Sequence, residues 1–254
     1  MDDLRRNIVS FFADQDVGLH AVRYVLEQFP QHIKNVVTIS NNQITEMARS
    51  FGCQTLDWKE ITAQNAKTIF KGVEIIFLAW WPKIIQGFII DAPRVGVVNF
   101  HPSLLPYNRG KNYNFWTIVE DTPFGVTLHF VDEGIDSGDI LFQAPVAKTW
   151  EDTGATLYFK AQKEILSLFQ NHYMDIIEGR YTRVKQDTAQ GTIHYSKELD
   201  ACSRLVLDKY YSLRELLNLL RARTFEGKPA CYFGDDGKKF EVRVSISEID
   251  HEAD

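Results

Sequence analysis

Short, unbroken apolar runs alternate along the first hundred residues with stretches whose apolar positions recur at helical spacing. Asn7–Phe12 (NIVSFF), Val36–Ile39, Glu74–Leu78 (EIIFL) and Gly96–Phe100 (GVVNF) are runs of the first kind, and they predict buried strands. His20–Phe29 and Gln43–Phe51 are of the second kind and predict helices. Pro82 follows EIIFL closely, where proline suits the first turn of a helix. Strands alternating with helices imply an α/β fold with a doubly wound, mostly parallel sheet. Such a sheet is covered on both faces, which explains why its strands are apolar throughout rather than alternating.

The pattern changes past residue 120. Phe124–Phe130 and Ile140–Ala147 predict two strands joined by the acidic loop VDEGIDSGD. Ala155–Glu178 is a long helical stretch with Leu157, Ala161, Ile165, Leu168 and Phe169 on one face, and Gly179-Arg180 ends it. Gln186–Gly191 is polar and reads as a linker. A helix over Ser212–Arg223 follows, then a hairpin with strands Ala230–Phe233 and Lys239–Ile246 turning at GDDG. The expected organisation is a Rossmann-like main domain over residues 1–185 and a small α+β appendage over 186–254.

Composition narrows the function classes. The chain has 254 residues, 44% apolar and 24% charged, which suits a packed core and excludes disorder as the main theme. Its net charge of −6 lacks the basic surplus of a general nucleic-acid binder. Cys53, Cys202 and Cys231 lie far apart with no CxxC pair, so neither a disulfide framework nor a zinc knuckle is expected. The opening MDDLRRNIVSFF lacks the flank and apolar run of a signal peptide. The strongly apolar stretch Ile75–Trp81 is far short of the roughly 20 residues that span a bilayer. A cytoplasmic protein without membrane or nucleic-acid partners is expected.

Candidate chemistry gathers in three places. Asn99-Phe100-His101-Pro102-Ser103 closes a buried strand, and ligands of open α/β sheets collect beyond the strands' carboxyl ends. Side chains alternate along a strand, so Asn99 and His101 share a face. Taken alone, this pair also reads as a core amide and a loop imidazole. The loop VDEGIDSGDI carries Asp132, Glu133, Asp136 and Asp139. By itself it fits a solvated acidic turn, or a divalent-ion site completed by His101 or His129. It lacks EF-hand spacing and an accompanying helical His pair, so no metal is expected. Between the two lies Leu105–Lys111, where Arg109 and Lys111 flank a glycine. Arg suits bidentate contact with phosphate, and a plain surface turn fits as well.

Together, NFHPSLLPYNRG, GVTLH and DEGIDSGDI resemble the signature of the N10-formyltetrahydrofolate-dependent formyltransferases, whose members act on methionyl-tRNA, glycinamide ribonucleotide or nucleotide-linked amino sugars. The resemblance covers the chain to about residue 180. It implies that Asn99, His101 and Asp136 are the catalytic trio and that N10-formyltetrahydrofolate is the co-substrate. It also implies a pterin pocket, built largely from backbone groups, between Trp80, Trp81, Lys83, Ile84 and Ile85 on one side and Asp132, Glu133 and Gly134 on the other. The two tryptophans equally suit core packing. The residue types match the chemistry: an amide can donate to a tetrahedral oxyanion, and an imidazole with a carboxylate can move the amine proton.

Ala13–Gly18 (ADQDVG) lacks the glycine-rich phosphate loop of the glycinamide enzymes, and residues 192–254 are too few for the barrel that tRNA enzymes add. The C-terminal piece is similar to that of the nucleotide-sugar N-formyltransferases in PYNRG, HYSKEL, LLRARTF and CYFGDDGKKFEVRV. That similarity implies a homodimer that formylates dTDP-4-amino-4,6-dideoxyglucose, or the 3-amino analogue, for O-antigen or related glycans. It places Tyr107, Asn108, Arg109, Lys111 and Lys197 at the sugar and pyrophosphate, with Phe225 or Tyr232 stacked on the base. Both aromatics also suit the appendage core or a subunit contact. The alternatives are a methionyl-tRNA formyltransferase-like enzyme and a formyltetrahydrofolate hydrolase. The hydrolase shares the trio but uses water, and commonly carries a regulatory domain for which no room is expected before Asn7.

Overall fold

A computed structural model describes residues 8–249, so Asn7 and the opening acidic segment lie outside the described residues. In chain order the elements are β1 (Val9–Ala13), α1 (Gln15–Gln28), β2 (Ile33–Thr38), α2 (Gln43–Ser50), β3 (Gln54–Asp57), α3 (Ala66–Ile69), β4 (Ile75–Ala79), α4 (Gly87–Ile90), β5 (Gly96–His101), β6 (Arg109–Gly110), α5 (Tyr113–Val119), β7 (Gly125–Phe130), β8 (Ile140–Pro145), α6 (Gly154–Ile177), β9 (Ile193–His194), α7 (Ser196–Cys202), α8 (Leu213–Ala222), β10 (Cys231–Asp235) and β11 (Lys238–Val242). A seven-stranded sheet runs β3-β2-β1-β4-β5-β7-β8. β1 to β5 pair in parallel, and β7 lies antiparallel to β5. The expected doubly wound, mostly parallel sheet is the one observed.

The apolar runs form strands because both sheet faces are covered. Alternation sends Phe11, Phe77 and Phe100 to one face, where Phe11–Phe169 and Phe100–Phe169 ring centroids lie 6.1 and 4.8 Å apart. Phe12, Ile76, Leu78 and Val97 face the other way, into a core with Val37, Phe70 and Ile89. Each such side chain contributes about 2–3 kcal/mol by leaving water. One run of sequence therefore serves two cores at once.

The chain divides into two compact units. One comprises the residues up to His101, Thr127–Gln143 and Ile165–Gln186; the other comprises Pro102–Val126, Ala144–Glu164 and the residues from Asp187 on. The units interleave in sequence, where the sequence pattern suggested one cut after residue 185. In the second unit α5 packs on α8, and β10 and β11 form the expected hairpin with Tyr232 opposite Glu241.

Three local expectations differ. Pro82 opens no helix: residues 82–86 are irregular and α4 begins at Gly87. Trp80 turns the chain with φ 59°, and a proline biases the residue before it toward extended backbone. The polar segment 186–191 contains a 3₁₀ turn, Thr188–Gln190, where the Asp187 side chain accepts from Ala189 N. Helices α5 and α7 were not anticipated. Among the described residues, no helix is long and apolar enough to cross a membrane.

Candidate active site

β5 and β7 bring the site together. Their antiparallel register sets Asn99 opposite His129 and His101 opposite Thr127. Residues opposite each other on paired strands share a face, so Asn99, His101 and His129 project to one side. The β7–β8 connection then supplies Asp136. His101 Nδ1 lies 3.5 Å and His129 Nε2 3.8 Å from Asp136 Oδ1. Asn99 Nδ2 lies 3.2 Å from His129 Nε2 and 3.5 Å from Asp136 Oδ1. The structure thus joins all three residues of the expected trio and adds His129.

Hydrogen-bond logic fixes the roles in this group. His129 Nδ1 is 2.7 Å from the Phe130 carbonyl, which can only accept. The ring is fully buried, and burial holds its pKa down to about 4 against the opposing charge of Asp136. A neutral ring carries one proton, and Nδ1 holds it. Nε2 is therefore a bare acceptor, so the Asn99 group facing it must be the N–H end of the amide. His129 in this way orients Asn99, leaving the second N–H in a long 3.5 Å contact with Asp136 Oδ1, the weaker of its two contacts and the one a ligand oxygen can compete for. His101 is buried, and its Nε2 has no hydrogen-bond partner among the described residues.

His101, His129 and Asp136 have the residue types of a metal site, with ligand atoms within 4.8 Å of one another. The Asn99 amide nitrogen already lies within hydrogen-bonding distance of two of them. An ion held by these three side chains would have to displace that amide from both contacts. The arrangement suits hydrogen-bond donation better than metal coordination.

The Asp136 loop is tightly built. Asp132 Oδ1 accepts from Gly134 N at 3.0 Å and from Ser137 Oγ at 2.8 Å. Asp136 itself has φ +49°, a left-handed conformation uncommon outside glycine. At Gly138 a Cβ would collide with the Phe130 carbonyl, so the loop can close on β7 at this point with glycine alone. Glu133 is exposed.

Of the expected pterin residues, Trp81 packs edge-on against Phe12 at 5.2 Å and Trp58 at 5.7 Å, and its Nε1 is buried without a partner among the described residues. Ile85 and Val131 pack against the same core. Trp80 is half-buried, whereas Lys83 and Ile84 are exposed.

The expected sugar and phosphate residues fall in the second unit. β6 pairs with β9; Arg109 N donates to Thr192 O at 3.0 Å and Lys111 N to His194 O at 2.9 Å. Arg109 Nη2 reaches Thr188 O at 3.4 Å, while its Nε is buried without a partner among the described residues. Lys111 is exposed, and Lys197 is exposed in the first turn of α7. Tyr107 is half-buried, and its carbonyl accepts from Ser103 Oγ. Asn108, expected at the substrate, is instead turned inward: it is fully buried, donates to Thr122 Oγ1 at 2.7 Å and accepts from Thr192 Oγ1 at 3.2 Å. Its φ of +54° marks it as the residue that shapes the loop. Phe225 sits among Tyr158 and Phe159. One face of Tyr232 is covered by Lys239 at 3.5 Å.

A doubly wound sheet with an amide, two imidazoles and a carboxylate at the end of its fifth strand has the makings of a group-transfer enzyme. Residues 8–170 match the Formyl transferase family, and residues 198–248 match the N-formyltransferase dimerization C-terminal domain. The chain belongs to the formyl transferase family. It is 32% identical over 186 residues to a dTDP-4-amino-4,6-dideoxyglucose formyltransferase of Mycobacterium bovis, covering 72% of this chain and 78% of that protein. Its fold matches a 4-N formyltransferase from Francisella tularensis with TM-score 0.79 and 23% identity, over 95% of this chain and 98% of that one. It also matches an N-formyltransferase from Helicobacter canadensis in complex with folinic acid and dTDP-3-aminofucose, with TM-score 0.73 and 20% identity, over 91% and 85%.

Proposed function

We propose that this enzyme transfers the formyl group of N10-formyltetrahydrofolate to the amine of a dTDP-linked amino-dideoxy sugar, with dTDP-4-amino-4,6-dideoxyglucose as the first candidate and the 3-amino analogue next. The observation that carries the reading is the relative of that named activity, 32% identical across 72% of the chain. The C-terminal match over residues 198–248 supports it from a separate part of the sequence.

The site suits the chemistry. The neutral sugar amine attacks the formyl carbon, forming a C–N bond and a tetrahedral oxyanion. Asn99, its amide oriented by His129, donates an N–H to that oxygen. The amine proton passes to His101 Nε2, and Asp136 stabilises the charge the ring takes on. The bond from the formyl carbon to N10 then breaks, and the proton goes to N10, releasing tetrahydrofolate. The pteridine is flat and edged with donors and acceptors. An apolar wall of Trp81, Ile85 and Val131 suits its face, and the Asp132–Asp136 backbone suits its edge. No step requires a metal ion.

Arg109 and Lys197 serve the pyrophosphate, with Lys111 and Tyr107 nearby in sequence. In this reading the portion to residue 185 carries the transfer chemistry, and the portion from 186 contributes to substrate binding and to a homodimer. Val206, Leu207, Tyr210 and Leu213 are large exposed side chains in the segment that matches the dimerization domain. Both substrates are metabolites of the cytoplasm, where we place the enzyme, and the product feeds O-antigen or related surface glycans.

The test is to incubate the enzyme with N10-formyltetrahydrofolate and a panel of dTDP-, GDP- and UDP-linked amino sugars. Mass spectrometry should find one added formyl group on a dTDP-linked 4-amino or 3-amino sugar. Asn99→Ala, His101→Ala and Asp136→Ala should each reduce turnover by about a hundredfold or more, the scale of losing one preorganised donor or proton-transfer group. Formylation of none of the panel, or normal turnover in all three variants, would refute the reading.

A further inference from the structure

The chain leaving α6 returns to the sheet beside the Asp136 loop. Val184 and Ile140 exchange backbone hydrogen bonds of 2.8 and 2.9 Å. The Arg183 guanidinium lies 3.7 Å from the Phe130 ring centroid and donates to the Val95 carbonyl at 3.3 Å. Two residues beyond this anchor, Gln186 Nε2 donates to the Asp136 carbonyl at 3.0 Å and to the Gly138 carbonyl at 2.6 Å. These carbonyls bracket Ser137. A primary amide has two N–H groups, and here each finds one side of the turn. The other end of the amide, Oε1, is buried with no partner among the described residues, so the donors orient this side chain.

The turn needs such support. Asp136 is held at φ +49°, where a non-glycine residue carries backbone strain. That conformation persists only when its surroundings over-determine it. Asp132 ties the loop internally through Gly134 N and Ser137 Oγ. Gln186 ties the Asp136 backbone itself to a segment anchored on β8 and Phe130. A carboxylate 3.5 Å from both Asn99 Nδ2 and His101 Nδ1 is sensitive to small rotations of its own backbone.

We propose that Gln186 is a positioning residue for formyl transfer, holding the Asp136 turn so that its carboxylate faces Asn99 and His101. The proposal rests on the reading of Asp136 as catalytic. The required chemistry is a pair of donors at the end of a long side chain. Leucine fills comparable space without donors. Glutamate matches the size but sets acceptors against two carbonyls. Lysine supplies several donors at similar reach.

The experiment measures kcat and both KM values for Gln186→Leu, Gln186→Glu and Gln186→Lys, with thermal melts and dTDP binding as checks of the fold. Leu and Glu should lower kcat by about tenfold to a hundredfold, the scale of a displacement near an ångström, while both KM values stay within about twofold. Lys should recover most of the lost turnover. Parent-like kcat in Leu and Glu would overturn the proposal. So would kcat and KM worsening together with Lys no better than Leu, because that marks general loosening. Glu decides the matter if Leu does not fold. Asp136→Asn, run alongside, separates the two layers: if it turns over like the parent, the catalytic reading fails whatever Gln186 does.

Discussion

His129 carries no role in the trio, yet its protonation state decides how Asn99 is presented. With its pKa held near 4, mainly by burial, it stays neutral where the unfolded chain's histidine, near 6.5, takes up a proton. The folded pKa is depressed, so the contribution to stability is complete above about pH 6.5 and declines as pH falls toward about 4. Across that window the unfolded state binds the extra proton, and stability falls by up to about 1.4 kcal/mol per pH unit from this group. We expect His129→Gln, whose side-chain oxygen can reach the Nε2 position and keep an acceptor toward Asn99, to show a shallower loss of stability than the parent between pH 6.5 and 4. Denaturant melts at several pH values measure the slopes, and equal slopes would refute the assignment. Asn99, His101 and Asp136 were legible because they lie in compact, recognisable strings. His129 was visible only as a metal candidate, since its role depends on the β5–β7 register, which pairs residues 30 apart. Gln186 left no signal: a polar residue in a polar segment looks like linker until its carbonyl partners are known.

At the scale of elements, the end of the expected linker, Gly191, and the residues just after it form a clamp. β9 pairs with β6. The His194 ring stacks on Trp116 at 3.8 Å and 7°, with Nε2 3.0 Å from Glu120 and Nδ1 3.2 Å from Glu198. Gly191 lies so close to the Pro106 carbonyl that a Cβ would collide with it. Residues 191–194 therefore fix the backbone of Pro106–Gly110, the loop that carries Tyr107 and Arg109. Gly191→Ala must push the two apart. If that loop binds the nucleotide sugar, its KM should rise by about tenfold, some 1.4 kcal/mol of binding, with kcat within about threefold and the folate KM unchanged. Steady-state kinetics with each substrate varied in turn decides it, and an unchanged sugar KM would count against the loop's role. The elements read from sequence included the strands buried on two faces, β1, β2, β4, β5 and β7, the amphipathic helices α1, α2, α6 and α8, and also β8 and the β10–β11 hairpin. β3 escaped because QTLD is a partly exposed edge strand. α5 escaped because YNFWTIV is buried nearly all round and shows no polar face. α7 escaped because SKELDAC buries none of its residues fully.

At the scale of the whole molecule, charge separates a small anionic substrate from a polyanion. The chain's net charge is −6, so a tRNA would meet general repulsion that local cations must overcome. A protein that neutralises many phosphates releases as many counterions, and its affinity falls with a log–log slope of roughly −0.7 to −0.9 per contact. A nucleotide-linked sugar offers two phosphates, matched in number by Arg109 and Lys197. The sugar KM should therefore depend weakly on salt, with a slope no steeper than about −2 for affinity. If Arg109 and Lys197 bind the pyrophosphate, Arg109→Ala and Lys197→Ala should raise that KM more than they lower kcat, because the pyrophosphate does not react. Each should also flatten the salt dependence by about one contact. The measurement is the KM of the parent and both variants across a salt series, with methionyl-tRNA assayed in parallel. Efficient formylation of methionyl-tRNA at physiological salt, or a steep slope that neither substitution changes, would show that the phosphates are read elsewhere or belong to a different substrate.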